Sequence, residues 1–282
     1  MLARIHTSLL HGIEAHPIEV EVTFRSSDKS TLTIIGLADN SVREARDRVL
    51  SAIRHSGYRV PQGTLLVNLA PAEIRKEGAS LDLAIALGVL ASTKLIPLRD
   101  LDRLSVHGEL ALDGQIRPIR GTVAMAICAK EQHLSYLVVP PTNIDEVSLV
   151  PEMPFIAPAS LADLTQTICK REFALNTITP DAPTLPGTSG PCISEVWGQQ
   201  RAKRALTIAA AGGHNLLMVG PPGCGKSMLA ERFPSLLPTL TEKQRLTATK
   251  IHSLAGLPLE GILAGMPPFR APHHVTSEVG LS

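Results

Sequence analysis

The stretch Gly220-Pro221-Pro222-Gly223-Cys224-Gly225-Lys226-Ser227 decides how the second half of this chain is expected to fold. It fits the pattern G-x-x-x-x-G-K-[ST], which is typical of a phosphate-binding P-loop. The apolar residues 215–219 before it predict a short buried strand, and residues 228–233 after it predict the start of a helix. A strand, a glycine-rich loop and a helix in this order are the context that the motif requires.

Each residue type in the stretch suits the binding of a polyphosphate. Glycines let the backbone approach phosphate oxygens without a Cβ clash. The successive N–H groups of residues 223–227 are predicted to point inward as an anion nest at the start of a helix. The Lys226 ammonium would neutralise β- and γ-phosphate charge, and the Ser227 hydroxyl would be a ligand of Mg²⁺. The alternative is a Gly/Pro-rich turn that only caps a helix.

Length and composition indicate an ordinary globular protein of about two domains. The 282 residues carry a formal net charge of +1, so nothing global points to nucleic acid or to an acidic partner. Four scattered cysteines without a C-x-x-C pair indicate neither a zinc site nor a disulfide framework, and favour a reducing, cytoplasmic setting. No apolar run approaches about 18 residues, so no membrane partner is expected. Aromatic residues make up only 3% of the chain, which argues against base-stacking platforms of the RNA-binding kind.

Residues 1–170 alternate strand and helix patterns in a compact α+β arrangement. The predicted strands are residues 2–10, 18–25, 31–35, 64–69 and 136–139, together with a hairpin of 104–110 and 115–117 about Asp113-Gly114. The first predicted helix has its cap candidates at Asp39-Asn40-Ser41 and extends through Ile53. Further helices are predicted at 81–91, 121–131, 144–147 and 161–168.

The first predicted helix carries several arginines among fewer acids. They are Arg43, Arg46, Arg48 and Arg54, against Glu44 and Asp47. A nucleic-acid-binding face is one interpretation. A solvated helix surface is the other and the favoured one, because helices usually carry their charges there.

Residues 171–190 are rich in Pro, Thr, Gly and Ser, which predicts a linker. The second domain is then expected to span residues 191–282. In it, helices are predicted at 202–211 and 241–251, and a loop at 267–274.

Several further motifs carry a family resemblance that extends over nearly the whole chain. They are Gly36-Leu37 with residues 42–49, residues 68–73, residues 76–83, residues 108–114, Gly198-Gln199 with residues 202–206, residues 209–215 ahead of the P-loop, and residues 268–274. With these motifs the chain resembles the Mg-chelatase-like AAA+ ATPases of the YifB/ComM type. The resemblance implies an α/β fold: a Lon-protease/ribosomal-S5-like α+β domain at 1–170, then the start of a P-loop AAA+ α/β domain at 191–282.

The resemblance also implies a function and partners. Members related to ComM are linked to ATP-driven DNA branch migration, a helicase-like activity, in DNA uptake and recombination during natural transformation. ATP and Mg²⁺ would then be the cofactors, with all of residues 220–227 on ATP and Ser227 on the metal. DNA would be a partner, and the full-length protein would be a homo-hexamer. The alternatives are a motor subunit of magnesium chelatase and a truncated fragment that does not hydrolyse ATP.

An ATP-dependent protease is disfavoured. The resemblance places Ser80 where the nucleophile of a Lon-type Ser-Lys dyad would fall, but Val123 occupies the position of the lysine and cannot act as a base. Lys76 and Lys94 are other candidates outside the expected helix. Ser80 is instead predicted to be a helix N-cap.

The residues that hydrolyse ATP are expected to lie outside these 282 residues. A Walker B strand ends in Asp-Glu, and this sequence has no Asp after Asp181. The resemblance implies that Walker B, the sensors, an arginine finger and the helical lid follow residue 282. The chain is therefore expected to be C-terminally truncated and to bind ATP with little or no hydrolysis, so no catalytic residue is assigned in it.

Three further positions each leave two interpretations open. The pair His273-His274 could bind a metal ion, although no third ligand is spaced nearby, or it could have a pore-facing or nucleotide-coupled role. Cys224 is either a small residue tolerated in the loop or a redox-sensitive thiol in the ATP site. Trp197 either packs against adenine or anchors the core.

Overall fold

The computed structural model describes residues 1–37, 39–74, 76, 78–173 and 191–272, without the side chains of Asn40, Ser41 and Arg43. The chain divides into two compact units, one formed chiefly by residues 1–180 and the other chiefly by residues 181–282. Most of the predicted linker at 171–190 and the pair His273-His274 lie outside the described residues.

The first unit is built on a seven-stranded sheet. The strands of this unit are β1 (Leu2–His11), β2 (Glu14–Ser26), β3 (Thr31–Ile35), β4 (Gly63–Ala70), β5 (Leu104–Val106), β6 (Glu109–Leu110), β7 (Ile116–Arg117), β8 (Tyr136–Val138) and β9 (Phe155–Ile156). The large sheet has the order β3-β4-β2-β1-β5-β8-β9, and β6 and β7 form a separate hairpin. Within the described residues of the large sheet, β1–β2 and β2–β4 are antiparallel and the other four pairs are parallel, so the fold is mixed α/β with a mostly parallel sheet.

Five helices pack around this sheet. They are α1 (Asn40–His55), α2 (Asp82–Ser92), α3 (Thr122–Glu131), α4 (Ile144–Val147) and α5 (Leu161–Lys170). Every residue of α2 is buried, as its almost uniformly apolar sequence predicted. The side chain of Asp39 caps α1 by accepting a hydrogen bond from Val42 N at 2.9 Å, which confirms the predicted start of that helix.

The predicted strand at 104–110 is wrong in its extent. Only β5 joins the large sheet, and the chain leaves it at His107, whose N–H donates to Val138 O at 2.9 Å. Gly108 N then donates to Ser80 O, and the hairpin about Asp113-Gly114 begins only at β6. Strand β9 was not predicted, because two residues carry no readable alternation.

The described residues of the second unit form four α-helices: α6 (Gln200–Gly212), α7 (Lys226–Arg232), α8 (Glu242–Ala255) and α9 (Glu260–Leu263). Val196, Leu206 and Leu229 form its buried apolar cluster. Within residues 191–272 the structure contains no strand, so the strand predicted at 215–219 is wrong. Leu217 is 88% exposed and Val219 is 86% exposed. A lone strand has no partner for its backbone groups, which explains why this apolar run stays outside any sheet.

None of the helices in the described parts of the chain is long and apolar enough to cross a bilayer.

Candidate functional site

Residues 220–227 form a tight loop that leads directly into α7. Gly223 and Gly225 have φ angles of 79° and 87°, a left-handed conformation that glycine adopts without strain. Helix α7 begins at Lys226. The N–H groups of its first turn therefore have no acceptor within the helix and point toward the loop. The structure thus places a short run of backbone donors where the sequence predicts a phosphate cradle.

The side chain of Lys226 folds back over this loop. Its Nζ donates to the carbonyl oxygens of Gly220 and Pro221, at 2.8 Å each, and lies 3.6 Å from Cys224 Sγ. Ser227, the next residue of α7, is exposed. The one ammonium of the motif is thereby held at the loop itself, next to the backbone donors.

A second turn lies against the P-loop. Gln199 Nε2 donates to Cys224 O at 3.3 Å, and Lys203 Nζ donates to Val196 O. Trp197 in this turn is 95% exposed, so the interpretation that it anchors the core is wrong. Gln199 belongs to the family motif Gly198-Gln199, but its contact with the P-loop was not predicted from the sequence.

The donors in the loop fit a nucleoside triphosphate with Mg²⁺. The cradle offers backbone N–H groups, one ammonium and one hydroxyl, which suit phosphate oxygens and a single protein ligand to the metal. In the described ranges, no group of three or more His, Cys, Asp or Glu side chains is placed to hold a metal ion. Ser227 is the residue of this loop that would contact Mg²⁺, together with phosphate oxygens.

In the first unit, the residues considered for a Ser-Lys protease are not brought together. Ser80 is half-buried, and its carbonyl accepts from Gly108 N at 3.1 Å. The N-cap of α2 is Leu81, without a side-chain hydrogen bond, so the prediction that Ser80 caps this helix is wrong. The chain enters α2 through a turn in which Asp82 N donates to Ala79 O, and this turn leaves no capping role for the hydroxyl.

Neither alternative lysine is placed as a base for Ser80. Lys94 follows the far end of α2, which is 11 residues long, so about 16 Å of helix separates the two side chains. Lys76 is buried, its Nζ donates to Pro71 O, and burial lowers its pKa. In the described part of the chain, Ser80 makes no hydrogen bond to a lysine. Val123, at the expected lysine position, is fully buried in α3.

The first unit also contains a buried polar cluster of Thr7, Ser105 and His107, which was not predicted from the sequence. The His107 ring contacts Thr7 Oγ1 through Nδ1 at 3.3 Å and Ser105 Oγ through Nε2 at 2.8 Å. Burial lowers the pKa of His107 to about 3. Because His107 and its two hydroxyl partners are buried and bonded to one another, the cluster fits a structural role. Ser105 and His107 alternate along β5 with apolar residues, which is the signal that the sequence offered.

Comparisons with known proteins match both units. One family model, described as subunit ChlI of Mg-chelatase, matches residues 18–143, and a second, described as magnesium chelatase, subunit ChlI, matches residues 192–282. The chain is 37% identical to competence protein ComM of Haemophilus influenzae and 39% identical to the uncharacterized protein YifB of Escherichia coli. Each alignment covers 98% of this chain and 54% of the relative, so the chain spans about half the length of these curated relatives.

A more distant similarity is to Lon protease 2 of Bacillus subtilis. It is 26% identical over 140 residues, which are 45% of this chain and 25% of that protein. This similarity is consistent with the predicted Lon-like fold.

Proposed function

Because the chain belongs to the magnesium-chelatase-like family of the YifB/ComM type, we propose that it binds ATP with Mg²⁺ at residues 220–227 and is part of an AAA+ motor that acts on DNA. The observation that carries the nucleotide site is the position of Lys226, whose ammonium lies on the Gly220 and Pro221 carbonyls of the motif.

Different groups of the loop would bind different parts of the nucleotide. Lys226 would exchange its two carbonyl contacts for phosphate oxygens, which are stronger partners for an ammonium. The backbone N–H groups of residues 223–227 would bind the remaining phosphate oxygens, and Ser227 would hold Mg²⁺. The turn at residues 196–199 would contact the adenine through Trp197. Bound ATP would supply the free energy of phosphoanhydride hydrolysis to the motor.

The proposed action on DNA rests on the family. The relative from Haemophilus influenzae is named a competence protein, and its similarity extends over 98% of this chain. We assign the full-length protein to ATP-driven branch migration in the uptake and recombination of transforming DNA, as a cytoplasmic homo-hexamer. The descriptions of both family models name a magnesium chelatase subunit, which favours a chelatase motor as the second candidate function. The arrangement of Ser80, Lys76 and Lys94 supports no protease.

A titration with a fluorescent ATP analogue in the presence of Mg²⁺ tests the nucleotide site. Lys226→Ala should abolish saturable binding, because the cradle loses its only ammonium. Lys243→Ala removes an exposed lysine from α8 and should bind as the wild type does. Equal affinity in the Lys226→Ala variant and the wild type would reject the site.

The action on DNA needs a separate measurement. We expect the protein to bind forked and single-stranded DNA, with an affinity that falls as salt rises because phosphate contacts release counterions. A chelatase motor would instead show no affinity for DNA in any nucleotide state.

A further inference from the structure

A groove of about 940 Å³ lies on the first unit between the C-terminal half of α1 and the edge strand β3. The loop of residues 57–61, which follows α1, closes one end. Leu32, Leu50 and Leu65 form an apolar floor.

Three exposed arginines line the groove. Arg46 and Arg54 lie on one face of α1, one helical step on either side of Leu50, so about 12 Å of helix separates them. Arg59 comes from the loop after the helix. Asp47 is the one acidic side chain in the lining, and its Oδ1 is 3.7 Å from Arg46 Nε. The groove therefore carries an excess of positive charge.

Two of the three groove arginines, Arg54 and Arg59, differ in their contacts from several other arginines of the first unit, whereas Arg46 lies beside Asp47. Four arginines elsewhere in the unit hold carboxylates: Arg4 with Glu19 and Glu21, Arg48 with Asp82, Arg117 with Glu109, and Arg171 with Asp100. Among the residues that the structure describes, neither Arg54 nor Arg59 has a carboxylate within 4.0 Å. Unneutralised guanidinium groups on a concave surface attract an anionic ligand.

The shape of the lining favours a single strand over a duplex. Half-buried Tyr58 lies in the groove between the arginines of the helix and of the loop. Cationic grooves with an aromatic side chain hold single-stranded nucleic acid by its backbone while a base stacks on the ring. A duplex keeps its bases stacked inside and therefore offers no base to Tyr58.

We propose that this groove binds single-stranded DNA, with Arg46, Arg54 and Arg59 on the phosphodiester backbone and Tyr58 against a base. The inference rests on the proposed action on DNA and assigns a strand contact to residues of the first unit, none of which belongs to the P-loop. Of the two interpretations of the arginines on α1, the proposal adopts the nucleic-acid-binding face, but with a different set of arginines. Arg48 does not contribute because it pairs with Asp82, whereas Arg59 was not among the arginines considered from the sequence.

The test is a salt titration of a fluorescent oligo-dT with the whole chain. The variant Arg46→Gln/Arg54→Gln/Arg59→Gln should bind at least about tenfold more weakly at low salt. Its slope of log K against log salt should be shallower by about 2, at roughly 0.7 per lost phosphate contact. The control Arg4→Gln/Arg117→Gln/Arg171→Gln has the same change in charge at positions outside the groove. It should keep the wild-type affinity and slope.

Two further variants separate charge from stacking. Replacing the three groove arginines by lysine should keep most of the wild-type slope. Tyr58→Leu should keep the slope and lower the affinity by roughly fivefold or more, since one stacked base is lost. Circular dichroism melting of every variant checks that the fold is intact.

The outcomes distinguish this proposal from the function on which it rests. A wild-type slope in the triple Gln variant, or an equal loss in the control, overturns the groove and leaves the action on DNA standing. Complete absence of DNA binding by the wild-type chain overturns both. Lys226→Ala should lose the nucleotide and keep the groove contact, so failure of the nucleotide site is read independently.

Discussion

Arg48 of α1 binds the buried carboxylate of Asp82 at the start of α2 through two hydrogen bonds. Nε donates to Oδ2 at 2.7 Å and Nη2 donates to Oδ1 at 3.1 Å. Leu110 N adds a third, weaker contact to Oδ2 at 3.4 Å. The side chain of Asp82 is 1% exposed, and burial raises its pKa although Arg48 opposes the shift. One ion pair thereby links α1, α2 and the β6 hairpin.

Removal of this arginine should destabilise the first unit strongly. In Arg48→Met the Asp82 carboxylate stays buried without a counter-ion, which typically costs about 3–5 kcal/mol of unfolding free energy. Urea denaturation followed by circular dichroism measures the loss. Arg46→Met is the matched control on the same helix, and an exposed substitution of this kind should stay within about 0.5 kcal/mol of the wild type. Equal stability of the two variants would show that the pair contributes nothing.

His107 predicts a dependence of stability on pH. Its folded pKa of about 3 lies below the ordinary value of about 6.5, so the ring of the folded state stays largely neutral until the pH approaches 3. The unfolded chain takes up a proton as the pH falls below 6.5. Stability from this group is therefore complete above pH 6.5 and declines toward pH 3, by about 2 kcal/mol at pH 5.

The measurement compares unfolding free energies at pH 7.5 and pH 5. In His107→Gln the decrease between these two pH values should be smaller than in the wild type by about 2 kcal/mol, whatever the absolute stability of the variant. His55→Gln removes an exposed histidine and serves as the matched control. An identical decrease in His107→Gln and the wild type would place the ring in contact with water.

Features that depend on neighbours in the sequence were predictable. The Asp39 cap requires only a carboxylate three residues before a free N–H, and the buried helix α2 follows from an apolar run. The loop of residues 220–227 is likewise local, since glycine positions and the following helix start define it.

Features that depend on distant partners were not predictable. In the sequence, Arg48 is one more charged residue of α1. Its partner Asp82 lies 34 residues later, and only the fold brings the two together. Residues 215–219 have the composition of a strand, but a strand forms only against another strand. The polar contact of His107 with Thr7 spans 100 residues of sequence. In each case the deciding contact is tertiary and leaves no trace in the local pattern.

Gly88 in α2 should not tolerate even a methyl group. A Cβ at this position would lie 2.5 Å from Val22 Cγ2, because the helix lies directly on β2. Replacement of glycine by alanine inside a helix normally stabilises by up to about 1 kcal/mol, but here overpacking should reverse the sign and cost about 1–3 kcal/mol.

Denaturation of the variants Gly88→Ala, Val22→Ala and the double variant tests this close approach. The double variant should be more stable than the sum of the two single changes predicts, by about 1 kcal/mol, because truncation of Val22 makes room for the methyl group. Additive effects would indicate that α2 shifts away from the sheet freely.

Alkylation of Cys224 should block the proposed nucleotide site. Its Sγ lies 3.6 Å from Lys226 Nζ and close to Gly220, so an adduct on the thiol would crowd the lysine and the loop. Cys169 and Cys192 are also accessible to reagents, whereas Cys128 is buried. The experiment therefore uses a Cys169→Ser/Cys192→Ser background, in which N-ethylmaleimide should weaken binding of the ATP analogue at least about tenfold, or 1.4 kcal/mol.

Two controls make the result specific to the loop. Cys224→Ala in the same background should bind the analogue normally and be insensitive to the reagent, because the site uses the backbone of this residue and not its thiol. Saturating ATP with Mg²⁺ should slow the modification of Cys224, since the ligand and the adduct compete for one space. Stoichiometric modification with unchanged affinity would separate the thiol from the nucleotide, and Cys224 would then be only a small residue that the loop tolerates.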